Sequence, residues 1–141
     1  SDKSAATWGS LTGESTSWTK NNRTISVKCS DSLSGCAKNS FSNTFVSTTK
    51  TSNITIRDNV GNSRNCSVNV YIDKTPPTCG TVTGSSTQWT HKNRTISVAC
   101  NDSHSGCAAS SYSNTYTTDQ KTSNITIKDK LGNSTACPVN V

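Results

Sequence analysis

Shifting the chain by 71 positions lays Trp18 to Val70 on Trp89 to Val141 without a gap, and 34 of those 53 positions are identical. A fold for this chain must therefore be built twice from units of about that length, so a single large core is excluded. The correspondence continues backward, placing Asp2 to Thr7 on Asp73 to Thr78, with Ala5 and Ala6 where the later copy has Pro76 and Pro77. The domains implied are 1–72 and 79–141, joined by a Pro-Pro linker, 73–78. Both ends fall at repeat junctions, and Met is absent, so the expectation is an excerpt of a longer tandem array.

Inside each copy the apolar residues recur at every second position. Ile25, Val27 and Cys29 alternate with polar neighbours, as do Ile54 and Ile56, and Cys66, Val68 and Val70. The second copy repeats this at Ile96, Val98 and Cys100, at Ile125 and Ile127, and at Cys137, Val139 and Val141. Period two means strands with one buried face. Turn-rich stretches separate them, such as Ser30 to Gly35 and Asp58 to Ser63, and no helical stripe interrupts. The expected class is all-β, with a small sandwich per copy.

Composition limits what such sandwiches can do. Only 29% of residues are hydrophobic, while Ser, Thr and Asn occupy 63 of 141 positions. That supply fills two thin cores and leaves little to enclose an active site. The seven cysteines, at 29, 36, 66, 79, 100, 107 and 137, are the compensation: covalent staples of about 2 to 4 kcal/mol each, which persist in an oxidising compartment. Zinc is disfavoured, because Cys29 and Cys36 stand further apart than a zinc knuckle allows. The formal charge of +6 is scattered and forms no basic stripe, so no nucleic-acid partner is expected. No run of about 20 apolar residues exists, so membrane insertion by a helix is not expected.

The linker Asp73-Lys74-Thr75-Pro76-Pro77-Thr78, the turn Asp58-Asn59-Val60-Gly61-Asn62-Ser63 and the closing strand Cys66-Ser67-Val68-Asn69-Val70 together resemble the bacterial Ig-like and HYR-like repeats of long surface proteins. The resemblance implies two tandem Ig-like sandwiches in an extracellular stalk or adhesin at the cell surface. Neighbouring repeats would be the main contacts, with a host or glycan ligand for the parent protein and a monomeric segment here. A departure is Trp8, which stands where the second copy has Cys79. Following strand directions in an Ig-like sandwich pairs Cys79 with Cys137, Cys100 with Cys107 and Cys29 with Cys36. Cys66 is left unpaired beside Trp8. Two alternatives remain open at this point: Cys100 with Cys137, leaving Cys79 to Cys107, and an interdomain link from Cys66 to Cys79.

Candidate chemistry is sparse. Asp102, His104 and Ser105 contain the residue types of a catalytic triad but in one loop, and Leu33 replaces the His in the other copy, so no catalytic residues are assigned. No cofactor is expected, with calcium as the one alternative. Asp73, Asp102, Asp129 and Asn133 are its candidate oxygen ligands, repeated as Asp2, Asp31, Asp58 and Asn62, although Asp and Asn are also ordinary turn residues and Lys74 and Lys130 lie close in sequence. Trp89, Tyr112 and Tyr116 form a candidate glycan-binding set, against the plainer expectation that each copy's rings fill core volume. Seven Asn-x-Ser/Thr triplets occur, about what this composition produces by chance.

Overall fold

A computed structural model describes residues 1–141, and the chain divides into two compact units, Ser1–Lys74 and Thr75–Val141. The first holds β1 (Thr7–Thr12), β2 (Arg23–Ser30), β3 (Ser40–Phe45), β4 (Thr49–Arg57) and β5 (Ser63–Ile72). The second holds β6 (Thr78–Thr83), β7 (Arg94–Asn101), β8 (Ser111–Tyr116), β9 (Thr122–Lys128) and β10 (Ser134–Asn140). All ten elements are strands, and no helix is long and apolar enough to cross a membrane.

Each unit is a small sandwich of a three-stranded meander and a hairpin: β1-β2-β3 with β4-β5, and β6-β7-β8 with β9-β10. The period-two residues explain the layering. Ile25 and Val27 on β2 are fully buried, and so are Ile56 on β4 and Cys66 and Val70 on β5, while Ile54 and Val68 are nearly so. Unit 2 buries the matching residues Ile96, Val98, Ile125, Ile127, Cys137 and Val139. Val141, which matches Val70, is partly buried against that cluster.

The strands that periodicity does not reveal, β1, β3, β6 and β8, are mostly exposed and polar. Strands β3 and β8 are bound by hydroxyl pairs across the sheet. Thr24 and Thr44 oxygens lie 2.8 Å apart and Ser26 and Ser42 2.5 Å, and Thr95–Thr115 and Ser97–Ser113 repeat both. Cross-strand Thr and Ser pairs of this kind stabilise a sheet face without apolar volume. The abundant Ser and Thr thus substitute for missing hydrophobes on the outer faces.

Asp73 and Lys74 belong to unit 1: the Asp73 N–H donates to Thr19 O at 2.8 Å, the Lys74 N–H to Thr48 Oγ1 at 2.8 Å, and Lys74 Nζ to Asn22 Oδ1. Thr78 already lies in β6, so only residues 75–77 fall between strand-bound segments.

Candidate functional site

The disulfides join Cys29 to Cys36, Cys100 to Cys107 and Cys79 to Cys137, with Cα atoms 6.0, 6.1 and 5.9 Å apart. The two short bridges close equivalent loops between β2 and β3 and between β7 and β8. Those loops are tied to the opposing hairpin as well: Cys36 bridges Asp58, and Cys107 bridges Asp129. The long bridge has a different role. It connects β6, in the three-stranded sheet, to β10, in the hairpin, and so clamps the two layers of unit 2.

Unit 1 lacks this clamp. Cys66 is free and fully buried, and its thiol lies 3.8 Å from Ser67 O. Burial pushes the thiol above its ordinary value, and the negative charge of Glu14 pushes it the same way, so the reactive thiolate is disfavoured. Trp8 stays out of the buried core at 42% exposed, with the Arg64 guanidinium 5.9 Å over its ring.

The acidic candidates are organised as turn residues. Asp129 Oδ1 accepts the N–H groups of Leu131 and Asn133, each at 2.9 Å, and Oδ2 accepts Asn133 Nδ2 at 2.8 Å. Asp102 Oδ1 accepts from His104 N–H at 2.9 Å and Gly106 N–H at 3.3 Å. The Asp102 loop and the Asp129 turn are neighbours, joined by Lys130 N–H to Gly106 O. Asp73 lies in unit 1, where its N–H donates to Thr19 O. In unit 1, Asp2, Asp31 and Asp58 bring carboxylate oxygens within 4.8 Å of one another. There too the oxygens are engaged: Asp31 by Leu33 and Gly35, Asp2 by Ser4 and Ser34, and Asp58 by Val60 and Asn62. Burial opposes the charge on Asp58, yet the hydrogen bonds from Asn62, Val60 and Ser34 prevail and hold its carboxyl below the ordinary range.

A group lowered on folding adds stability above its unfolded value, roughly pH 4, and loses that contribution as pH falls through the lower folded value. Asp58→Asn is therefore expected to weaken the acid-limb dependence of unit 1. Asp129→Ala, which strips three hydrogen bonds from a buried turn, is expected to cost about 1 to 3 kcal/mol in unit 2. Thermal melts with calcium and with chelator should give the same loss; a loss confined to the calcium sample would assign these carboxylates to a cation instead.

Asp102 bonds the main-chain N–H of His104, while the imidazole Nδ1 faces Ser103 Oγ at 3.3 Å.

The three aromatic candidates do not share one platform. Tyr112 and Tyr116 lie on β8 opposite Val98 and Arg94, four residues and so about 13 Å apart along the strand. Tyr112 is partly buried against the core and donates its hydroxyl to Lys128 O at 3.2 Å. Tyr116 is only 6% exposed. Trp89 alone presents its ring, at 78% exposed, which also corrects the expectation that it supplies core volume. Trp89 and Tyr116 line one groove with Thr90, Arg94, Gln120 and Val141.

No family model, curated protein or solved structure matches the chain. The residues that sequence reasoning missed are those around Trp18: Thr19, Arg23 and Tyr71. Their signal was present in the shared spacing of Trp18, Thr19 and Arg23 on Trp89, Thr90 and Arg94, but their partner Tyr71 lies one residue past the aligned block.

Proposed function

We propose that the chain is a non-enzymatic spacer, two repeats of an extracellular stalk or adhesin of the bacterial surface type. The observation that carries this reading is the position of the long disulfide. Unit 2 runs from Thr75 to Val141, and the bridge joins Cys79 to Cys137, close to both of its ends. Tension applied at those ends passes through a covalent link and bypasses the strands between. Three disulfides also fit an oxidising, extracellular setting. The polar Ser and Thr faces suit a segment that must remain soluble while exposed on all sides.

A second reading, a glycan-binding adhesive module, is favoured by one observation, the exposed ring of Trp89. Exposed indoles stack on apolar sugar faces. The two readings separate on a glycan array probed with the intact chain and with Trp89→Ala. The spacer reading expects the same background signal from both. Specific binding by the parent that disappears in Trp89→Ala would establish the adhesive module.

A further inference from the structure

Two disulfides of unit 2 meet on one strand pair. In the register of β6 and β7, Cys79 stands directly opposite Cys100, yet each is bonded elsewhere, Cys79 to Cys137 and Cys100 to Cys107. Cys100 donates its N–H to Ser110 O, on the β8 side, at 3.0 Å. The N–H and C=O of one residue in an antiparallel strand point the same way, so Cys100 turns no main-chain group toward Cys79. A pair of that kind brings its Cα atoms to about 4.5 Å, the closest approach in a sheet, with both side chains on one face. A disulfide needs Cα atoms about 4.4 to 6.8 Å apart. Cys79 and Cys100 therefore stand within bonding range of each other as well as of their present partners, whose Cα atoms lie 5.9 and 6.1 Å away. Cys100 Sγ also lies 3.9 Å from Lys128 O, so it faces the hairpin layer that carries Cys137.

The four residues are graded in access. Cys79 is exposed on the edge strand, Cys100 and Cys107 are half-buried, and Cys137 is buried. Unit 1 keeps the inner end of this arrangement and lacks the outer one. Trp8 stands opposite Cys29 in the same register, and Cys66, at the position of Cys137, is a free thiol that burial holds in its protonated form. The fold thus already accommodates a neutral thiol at the inner position.

We propose that the four cysteines of unit 2 form a thiol–disulfide exchange site, through which a small thiol that opens the short bridge also moves the long one. The incoming sulfur bonds to Cys107 Sγ, and the Cys100–Cys107 bond breaks with its electron pair on Cys100 Sγ. The Cys100 thiolate then attacks Cys79 Sγ. A Cys79–Cys100 bond forms, and the Cys79–Cys137 bond breaks with its pair on Cys137 Sγ, which takes up the proton that the small thiol lost. One mixed and one internal disulfide replace two internal ones, so nothing is oxidised or reduced overall. The moved bridge lies within one sheet, between β6 and β7, and no longer joins the two layers. Unit 1 has no such route, because a tryptophan fills the Cys79 position. What the exchange does to a loaded chain rests on the spacer reading; the exchange itself does not.

The test uses two variants of the full chain. Cys107→Ala supplies the Cys100 thiol without any reagent. Cys100→Ala removes the same bridge but leaves the thiol at Cys107, which pairs with Asp129 of the hairpin turn and not with β6. Both are held near the ordinary thiol pKa, about pH 8, then alkylated and mapped by mass spectrometry without reduction. The expected result is a Cys79–Cys100 link in Cys107→Ala, with Cys137 alkylated about tenfold or more faster than in Cys100→Ala, because the facing thiol attacks within the fold. Cys79–Cys137 persisting alone in Cys107→Ala would overturn the proposal. So would equal exchange in the two variants, because that is the mark of scrambling in unfolded chains. The parent chain treated with glutathione should carry glutathione on Cys107 together with the Cys79–Cys100 link. Glutathione on Cys79 with Cys100–Cys107 intact would mean that the long bridge opens directly, and the relay would be wrong.

Discussion

Replacing Cys79 and Cys137 together by alanine is expected to destabilise unit 2 by about 4 kcal/mol, as the loop-entropy relation gives for a closure of this length. The bridge spans 58 positions, whereas each of the other two spans 7 and is worth about 2 kcal/mol on the same relation. Domains this small retain only about 5 kcal/mol in all, and the double variant should be close to unfolded at physiological temperature. Unit 1 carries Trp8 and free Cys66 in place of the bridge and should keep its midpoint in the same molecule. Separate amide-exchange profiles for the two units check both halves of this expectation.

A comparable loss is expected from one methyl group. Gly84 sits at φ +83°, and a Cβ built there would lie 2.2 Å from Thr95 O; Gly13 repeats this at φ +87° and 2.1 Å from Thr24 O. The obstacle is strand backbone, which cannot rotate away as a side chain tip can. Gly84→Ala should therefore cost on the order of 3 kcal/mol, combining left-handed strain with displacement of β7. Gly61→Ala is the control, because its φ of +93° brings the same strain while a Cβ there meets nothing within 4 Å. It should cost about 1 kcal/mol, the strain alone. If Gly84→Ala and Gly61→Ala fall together, the close approach to Thr95 is not what holds glycine at position 84.

Much of this architecture is legible in the residues, for a physical reason. A strand with one buried face must alternate, so Ile25, Val27, Ile54, Ile56, Val68 and Val70 reveal three strands per unit without reference to anything distant. Strands held by hydroxyl pairs carry no such signal: in Ser40–Phe45 the residues that bond across the sheet are as polar as any loop. The acidic turns are ambiguous for a related reason. Asp129 and Asn133 have the same oxygens whether they cap a turn or hold a cation, and only the directions of the Leu131 and Asn133 amides distinguish the two. The state of a tryptophan is harder still. Trp18 and Trp89 share a local sequence, yet Trp18 is partly buried by Tyr71, a partner more than fifty residues away, and Trp89 is open. The bonds of Asp73 and Lys74 are as hard to read, because their partners Thr19, Thr48 and Asn22 are not near in sequence.

The spacer reading rests on unit 2 keeping its length under load, and pulling a single molecule by its two ends measures this directly. In oxidising buffer the Cys79–Cys137 bridge holds the 58-position span closed, so the chain should yield only the extension of unit 1. Adding reductant, or substituting both cysteines with alanine, should release a further length of about 200 Å, at roughly 3.5 Å per extended residue. That step appearing in the parent chain before any reductant is added would contradict the account, because unit 2 would then carry tension through its strands and not through the staple.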